Sequence, residues 1–282
     1  NLWAGTAAGL ARIGDAQVQT YGEPEGLPSG FAWSVSPRRA GGWWMGFNGG
    51  GLAAFDNGRR IEVSGGAVHD QGSAVVQTVL DLGDEQWLGT LDGLFRRDEA
   101  SGRQTAVPAL SGYRVQALVQ DQDGSLLVGT QRGLMRVRGD QLQKIELPEA
   151  ASASVSRLRA DGPGRWLVAA HGAGLFQLED GKASRLSAVG GMPVRDAVRD
   201  ADGRIWLAAI GLHVIDGSGL HAIEPINRQL VAQLHALEID GRGRLWASSN
   251  AGVLRVELAL LARYLDASAA GFDYALFGEA EG

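Results

Sequence analysis

The stretch VQALVQDQDGSLLVGTQRGLMRVRGDQLQKIELP, Val115 to Pro148, decides the fold. Short runs of apolar and β-branched residues are cut by Asp and Gly, the pattern of half-buried strands joined by tight turns. Four strands are predicted here: Tyr113 to Asp121, Leu126 to Gln131, Gly133 to Arg138, and Gln141 to Pro148. The turn Asp121-Gln122-Asp123-Gly124 joins the first two. Its Asp offers a side-chain hydrogen bond, and its Gly the positive φ that such a hairpin needs. The same turn recurs at Asp200-Ala201-Asp202-Gly203 and at Asp240-Gly241-Arg242-Gly243.

Outward from this stretch, one phrase repeats: Trp-x-x-x, a polar link, Gly-Leu, an apolar run. It reads LWAGTAAGLARI from Leu2, WMGFNGGGLAAF from Trp44, WLGTLDGLFRR from Trp87 and LVGTQRGLMRV from Leu127. It continues as LVAAHGAGLFQL from Leu167, WLAAIGLHVI from Trp206 and WASSNAGVLRV from Trp246. Successive anchors, from Trp3 to Trp246, lie 39 to 43 residues apart. A period near 40 with several strands per copy predicts propeller blades. The expected fold is all-β, a seven-bladed β-propeller of four-stranded antiparallel blades in a single domain, 1–282. The blades are expected at about 1–22, 30–65, 74–108, 113–148, 154–187, 193–226 and 231–282. The chain opens in the phase of a second strand, so blade one is expected to lack its innermost strand. Phe277-Gly278-Glu279-Ala280-Glu281-Gly282 echoes Tyr21-Gly22-Glu23-Pro24-Glu25-Gly26, which follows the fourth strand of blade one. LALLARYLDASAA, Leu258 to Ala270, has helical spacing of good helix formers. It predicts a helix ahead of a fourth strand at Phe272 to Phe277. The anchors should pack between blades, so truncating Trp87 or Trp246 is expected to cost about 3 to 5 kcal/mol.

Composition narrows the function. The chain has 282 residues, 42 of them Gly, a formal net charge of -6, and no dense Lys/Arg run. Nucleic acid is therefore not an expected partner. Cysteine is absent, which excludes disulfides and thiolate metal sites. No apolar stretch is long enough to span a membrane, and no signal peptide is read at the start.

The pattern V-x-A-L-x-x-D-x-D-G-x-L-W-x-G-T-x-x-G-L, carried by Val115 to Leu134 with Leu127 in place of Trp, resembles the two-component regulator propeller repeat. YGEPEGLP, Tyr21 to Pro28, is similar to the linker between blades in that family. The resemblance implies a periplasmic sensor domain of a membrane-anchored receptor. It also implies a downstream β-sandwich and a kinase or diguanylate cyclase output, and ligands that are often glycans.

No catalytic or metal motif appears. His69, His171, His213, His221 and His235 are scattered without ligand spacing, and no nucleophile elbow occurs. The Asp-x-Asp-Gly turns lack the further oxygen ligands of a calcium loop. Gly49-Gly50-Gly51 has no following Lys-Ser/Thr, so it reads as a strand link. No cofactor and no metal are expected.

Aligning the first strands on their anchors gives one recurrent position: Trp33, Gln77, Gln116, Ser156, Arg195 and His235. First strands are innermost in a propeller, so these side chains are expected around the channel. They form either a solvated wall or a ring suited to polyols or carboxylates. The links between second and third strands supply Asn48, Asp92, Arg132, His171 and Asn250, read as turn formers or ligand contacts. The expected function is a non-catalytic sensor input domain binding a small molecule or glycan, with a possible homodimer. A propeller enzyme acting on a glycan or related substrate and a dimerisation scaffold without ligand are the alternatives.

Overall fold

The computed structural model describes residues 2–6, 9–13, 18–57, 59–62, 75–187, 193–229 and 233–277. Two compact units emerge, 1–158 and 159–282. The side chain of Trp3, His69, and the repeat of YGEPEG at 278–282 lie outside the described residues, as does the link at 63–74.

The chain is an all-β propeller of four-stranded antiparallel blades. In order, the strands are β1 (Leu2–Thr6), β2 (Gly9–Ile13) and β3 (Val18–Tyr21); β4 (Ala32–Pro37), β5 (Trp43–Phe47), β6 (Leu52–Asp56) and β7 (Arg59–Ile61); β8 (Val76–Asp81), β9 (Glu85–Thr90), β10 (Leu94–Asp98) and β11 (Gln104–Ala106); β12 (Val115–Gln120), β13 (Leu126–Thr130), β14 (Gly133–Arg138) and β15 (Gln141–Ile145). They continue as β16 (Val155–Ala160), β17 (Arg165–Ala170), β18 (Gly174–Glu179) and β19 (Lys182–Ser187); β20 (Asp196–Arg199), β21 (Ile205–Ala209), β22 (Gly211–Asp216) and β23 (Gly219–Ala222); and β24 (Leu234–Ile239), β25 (Arg244–Ser249), β26 (Gly252–Glu257) and β27 (Ala275–Phe277). Each sheet is a meander in which sequential strands pair.

Six sheets are complete four-stranded blades, where the repeat leads one to expect seven blades. Among the described residues, the remaining sheet, β1–β3, has three strands. Two boundaries are corrected in the last blades. The helix expected over 258–270 is α2 (Leu258–Leu265), and the strand expected from Phe272 begins at Ala275. Beyond Leu265 the chain has Asp266 and then Ala267 at φ 56, a left-handed stop. A short helix that the sequence pattern did not suggest, α1 (Glu224–Gln229), follows β23. Asn227 fastens it, accepting the Leu212 N–H at 2.7 Å and donating to the Leu212 carbonyl at 3.1 Å.

Blades stack through apolar faces. Trp44, Leu52, Ala54, Val76, Val79 and Leu88 form one buried cluster joining the blades of β4–β7 and β8–β11. Leu94, Leu110, Val115, Leu118, Leu126, Val128, Met135 and Val137 form the next. The Gly of the repeated Trp-x-Gly has a steric reason. A Cβ at Gly89 would lie 2.5 Å from Thr78 Cγ2 and 2.6 Å from Val115 Cγ1. The first strand of the following blade crosses where a side chain would stand, so Gly89 leaves room only for hydrogen.

Anchor Trp residues are not equivalent. Trp44 and Trp206 are fully buried, whereas Trp87 is only half-buried. The indoles of Trp206 and Trp246 donate to the turn aspartates Asp200 and Asp240 at 2.9 and 2.8 Å. Where Leu127 replaces Trp, Arg136 takes the equivalent turn residue, Asp121, at 2.8 Å.

Candidate functional site

The recurrent polar position of the first strands is a β-bulge. In β4, Ala32 pairs with Phe47 and Ser34 with Gly46, so Trp33 is the extra residue. Gln77, Gln116 and His235 are extra in the same way in β8, β12 and β24. Arg195 doubles up with Asp196 opposite Ala208, to whose carbonyl the Arg195 N–H donates at 2.9 Å. A bulge breaks the period-two alternation and re-aims one side chain. That is why a polar residue recurs inside an otherwise apolar strand.

The links between second and third strands lie at the same end as these bulges. In residues 1–158, the Asn48 N–H donates to the Phe31 carbonyl at 3.0 Å, and Asn48 bridges to Val75 just ahead of β8. In residues 159–282, Ile210 bridges to Gln233 just ahead of β24. A hydroxyl holds the links that follow β9, β13 and β25. Thr90 and Thr130 accept the N–H of Asp92 and Arg132 at 3.1 Å. Their hydroxyls donate to the carbonyls of Gly93 and Gly133 at 3.0 and 2.9 Å. This fixes the link backbones and leaves the side chains of Asp92 and Arg132 exposed.

In residues 1–158, Trp33 is 45% exposed and stands edge-on to Phe31, with ring centroids 4.9 Å apart. Gln77 Oε1 is buried without a hydrogen-bond partner. Gln116 Oε1 accepts from the Ser154 hydroxyl at 2.6 Å, tying its blade to the segment ahead of β16. The Arg132 guanidinium lies over the Tyr113 ring at 4.8 Å. In residues 159–282, Arg195 donates through Nη2 to Gln233 Oε1 at 2.8 Å. His235 Nε2 lies 2.7 Å from Asn250 Oδ1, so a bulge residue and a link residue meet. His171 is exposed. Each unit thus gathers some of its candidates: Asn48 beside the Phe31–Trp33 segment, and Arg195, His235 and Asn250 along the start of β24.

Other polar features were not singled out in the sequence. Asp196 is fully buried and takes a bidentate fork from Arg159, at 3.0 Å from Nε and 2.8 Å from Nη2. Arg159 reaches on to Glu238 at 3.0 Å and to the Leu237 carbonyl. Burial opposes the Arg159 charge, but Asp196 and Glu238 more than offset it, so its pKa is raised. Arg199 forks onto Asp161 at 2.6 and 2.9 Å, joining the same two blades. Arg97, 1% exposed, donates to Gln86 at 2.6 Å and Glu99 at 2.7 Å and faces Trp44. The available sequence signal was a charge at a strand position that neighbouring copies fill with apolar residues.

A groove of about 690 Å³ lies at the other end of the blades in residues 159–282. The turn residues Asp202 to Arg204 and Asp216 to Ser218 line it with Leu186 and Leu265, and none of the ten candidates does. Of these lining residues, Asp216 and Ser218 also meet His221. Both Ser218 and Asp216 meet the same imidazole nitrogen, Nε2, so they form no relay of the catalytic-triad kind. No group of three His, Cys, Asp or Glu able to hold a metal ion occurs among the described residues. No helix among them is long and apolar enough to cross a membrane.

No protein-family model matches the sequence, and no curated protein matches it. Solved structures do. The extracellular domain of BT4673 from B. thetaiotaomicron, described both as a one-component and as a hybrid two-component system, aligns in two structures. TM-scores are 0.75 and 0.72 at 19% and 20% identity, over 89% of this chain and 36% of that one. The extracellular domain of the hybrid two-component system BT3049 from the same organism aligns with a TM-score of 0.54 at 17% identity, over 99% of this chain and 44% of that one. Virginiamycin B lyase from Staphylococcus aureus aligns with a TM-score of 0.67 at 12% identity, over 86% of this chain and 85% of the lyase. The chain spans little more than a third of the BT4673 domain. At these identities the likeness is one of fold, and what the chain shares with these extracellular sensor domains and with the lyase is the β-propeller.

Proposed function

We propose that this chain is the input module of an extracytoplasmic, periplasmic receptor, with the three-stranded sheet serving as a seventh blade. It binds a small molecule or glycan without turning it over. It signals to a β-sandwich and a kinase or cyclase further along the same receptor, possibly as a homodimer. The observation that supports this reading best is the recurrent bulge. One backbone device, repeated in several blades, presents Trp33, Gln77, Gln116, Arg195 and His235, an aromatic ring, two amides, a guanidinium and an imidazole. Structural packing calls for sameness at a repeated position, and recognition calls for difference. The likeness in fold to extracellular sensor domains adds to it. Asn48, Asp92, Arg132, His171 and Asn250 are the accompanying link residues.

The likeness to a lyase favours a second reading, a propeller enzyme. One experiment separates the two. The protein is melted against a panel of glycans and small organic acids, and each compound is then recovered and weighed by mass spectrometry. A saturable rise in Tm with the compound unchanged supports the sensor. Product formation supports the enzyme, and a panel without any binder or product counts against both.

A further inference from the structure

The start of β24 carries two hydrogen-bonded pairs whose amide oxygens are already engaged. Gln233 Oε1 accepts from Arg195 Nη2 at 2.8 Å, and Asn250 Oδ1 lies 2.7 Å from His235 Nε2. Gln233 and His235 flank Leu234, which pairs with Ser249, the residue before Asn250. At about 3.3 Å per residue the two pairs stand roughly 7 Å apart along the strand. A single carboxylate closes such a span with one hydrogen bond on each oxygen. Asn250 is exposed, and Arg195, Gln233 and His235 are half-buried, so all four are open to solvent. Ile210, 53% exposed, bridges to Gln233 through the backbone and adds an apolar side chain beside the pairs.

What these side chains leave over is mostly donors. An amide oxygen accepts and its NH2 donates, while a guanidinium only donates. Asn250 Oδ1 can only accept, so His235 Nε2 carries the hydrogen. Among the described residues no acceptor meets the NH2 group of Gln233 or of Asn250. The acceptor that remains is His235 Nδ1, which turns donor when the ring protonates. Asp196, next to Arg195 in the chain, is fully buried and taken by Arg159 and by the Leu237 N–H at 3.0 Å. Glu224 follows β23, at the opposite edge of its sheet from β20. A group rich in donors, with a guanidinium and no carboxylate of its own, is matched by an anion that only accepts.

We propose that the start of β24, with Arg195, Gln233, His235 and Asn250, is a subsite for the carboxylate of a small organic acid whose apolar body lies against Ile210. The proposal rests on the ligand-binding reading above and adds to it a place and a charge class, an acid and not a neutral polyol.

The test follows the His235 imidazole C–H by NMR at one fixed pH, assigned as the signal lost in His235→Gln. The probes are benzoate, isovalerate and benzamide. Both acids are expected to shift that signal saturably. Benzamide keeps the ring and lacks the charge, and it should bind about tenfold more weakly than benzoate, the scale of one charge-assisted hydrogen bond. Asn250→Asp sets a carboxylate against His235 in an exposed link, and Arg195→Gln removes the guanidinium. Each should weaken both acids about tenfold or more, and Asn250→Asp should leave Tm little changed. Benzamide binding as tightly as benzoate overturns the charge class. A His235 signal unmoved by either acid, or acid affinities unchanged in Asn250→Asp and Arg195→Gln, overturns the subsite. If signals elsewhere move saturably instead, the subsite falls while the ligand-binding reading stands.

Discussion

Replacing Trp44 by Ala is the sharpest test of how the blades are joined. The side chain is fully buried in the cluster of Leu52, Ala54, Val76, Val79 and Leu88. Arg38 and Arg97 lie over its ring at 5.3 and 5.4 Å, and its indole N–H donates to Asp81 at 2.8 Å. Removing a buried Trp leaves a cavity and costs about 3–5 kcal/mol. The lost cation–π contacts and hydrogen bond place this site at the upper end, about 5 kcal/mol. Asp81 is not stranded, because it still accepts the N–H groups of Arg39 and Gly83. Trp87 holds the same place in the repeat, yet it is half-buried and its indole donates to Glu85, two residues away in its own strand. Trp87→Ala should therefore cost only about 1–2 kcal/mol, less than the repeat alone suggests. At about 2–4 °C per kcal/mol for a chain of this size, Tm should fall by roughly 10–20 °C for the first variant and 2–8 °C for the second. Scanning calorimetry, with urea unfolding followed by circular dichroism, measures both. Equal losses for the two variants, or a loss under about 1 kcal/mol at Trp44, would refute the idea that burial between blades decides the value of an anchor.

Asp196→Asn breaks a buried fork, leaves Arg159 half-satisfied and should cost about 3–5 kcal/mol in urea midpoints; a variant as stable as wild type would show the pair to be dispensable. Gly89→Val forces a side chain into the 2.5 Å gap against Thr78 and should cost about 3 kcal/mol or abolish soluble expression. Burial lowers the His213 pKa below its ordinary 6.5, against a Gly211 hydrogen bond that raises it. The unfolded chain then takes up the proton more readily, so this histidine erodes stability as pH falls below about 6.5 and has no effect above it. His213→Gln should flatten the decline of Tm between about pH 6.5 and 5, and parallel curves would exclude His213 as its source. Asp240 titrates at about 2, because the Trp246 indole and the Arg244 guanidinium outweigh the burial that raises it. Its contribution is complete above 3.8 and is lost as pH drops toward 2, so Asp240→Asn should lower Tm at pH 5 by more than it does near pH 2.

The repeat made the blades legible because packing is local and periodic. Alternation and Asp-Gly turns place β12, β13, β14 and β15 within a few residues of where the structure has them. The same alignment isolated the position of Trp33, Gln77, Gln116, Arg195 and His235, although nothing in one strand alone says that its extra residue forms a bulge. That depends on which residue of the partner strand it faces. Helix α2 was visible because eight residues carry their own 3.6-residue period. Helix α1 was not, because its six residues contain Pro225 and are held by Asn227 against strand β22, fifteen residues away.

The sequence by itself determined the fold class, the period of the blades, the strands and the short list of polar positions, since these follow from spacing and from the φ demands of turns. The tertiary structure decided which of those positions have partners. Whether a Trp is buried between blades, as Trp44 is, or half-open, as Trp87 is, depends on the neighbouring blade. The same holds for the meeting of His235 with Asn250, for the fork of Arg159 on Asp196, and for the unmet oxygen of Gln77. These contacts join residues far apart in the chain, and their energy is set by distance and desolvation, which are properties of the packed molecule and have no local signature in the chain.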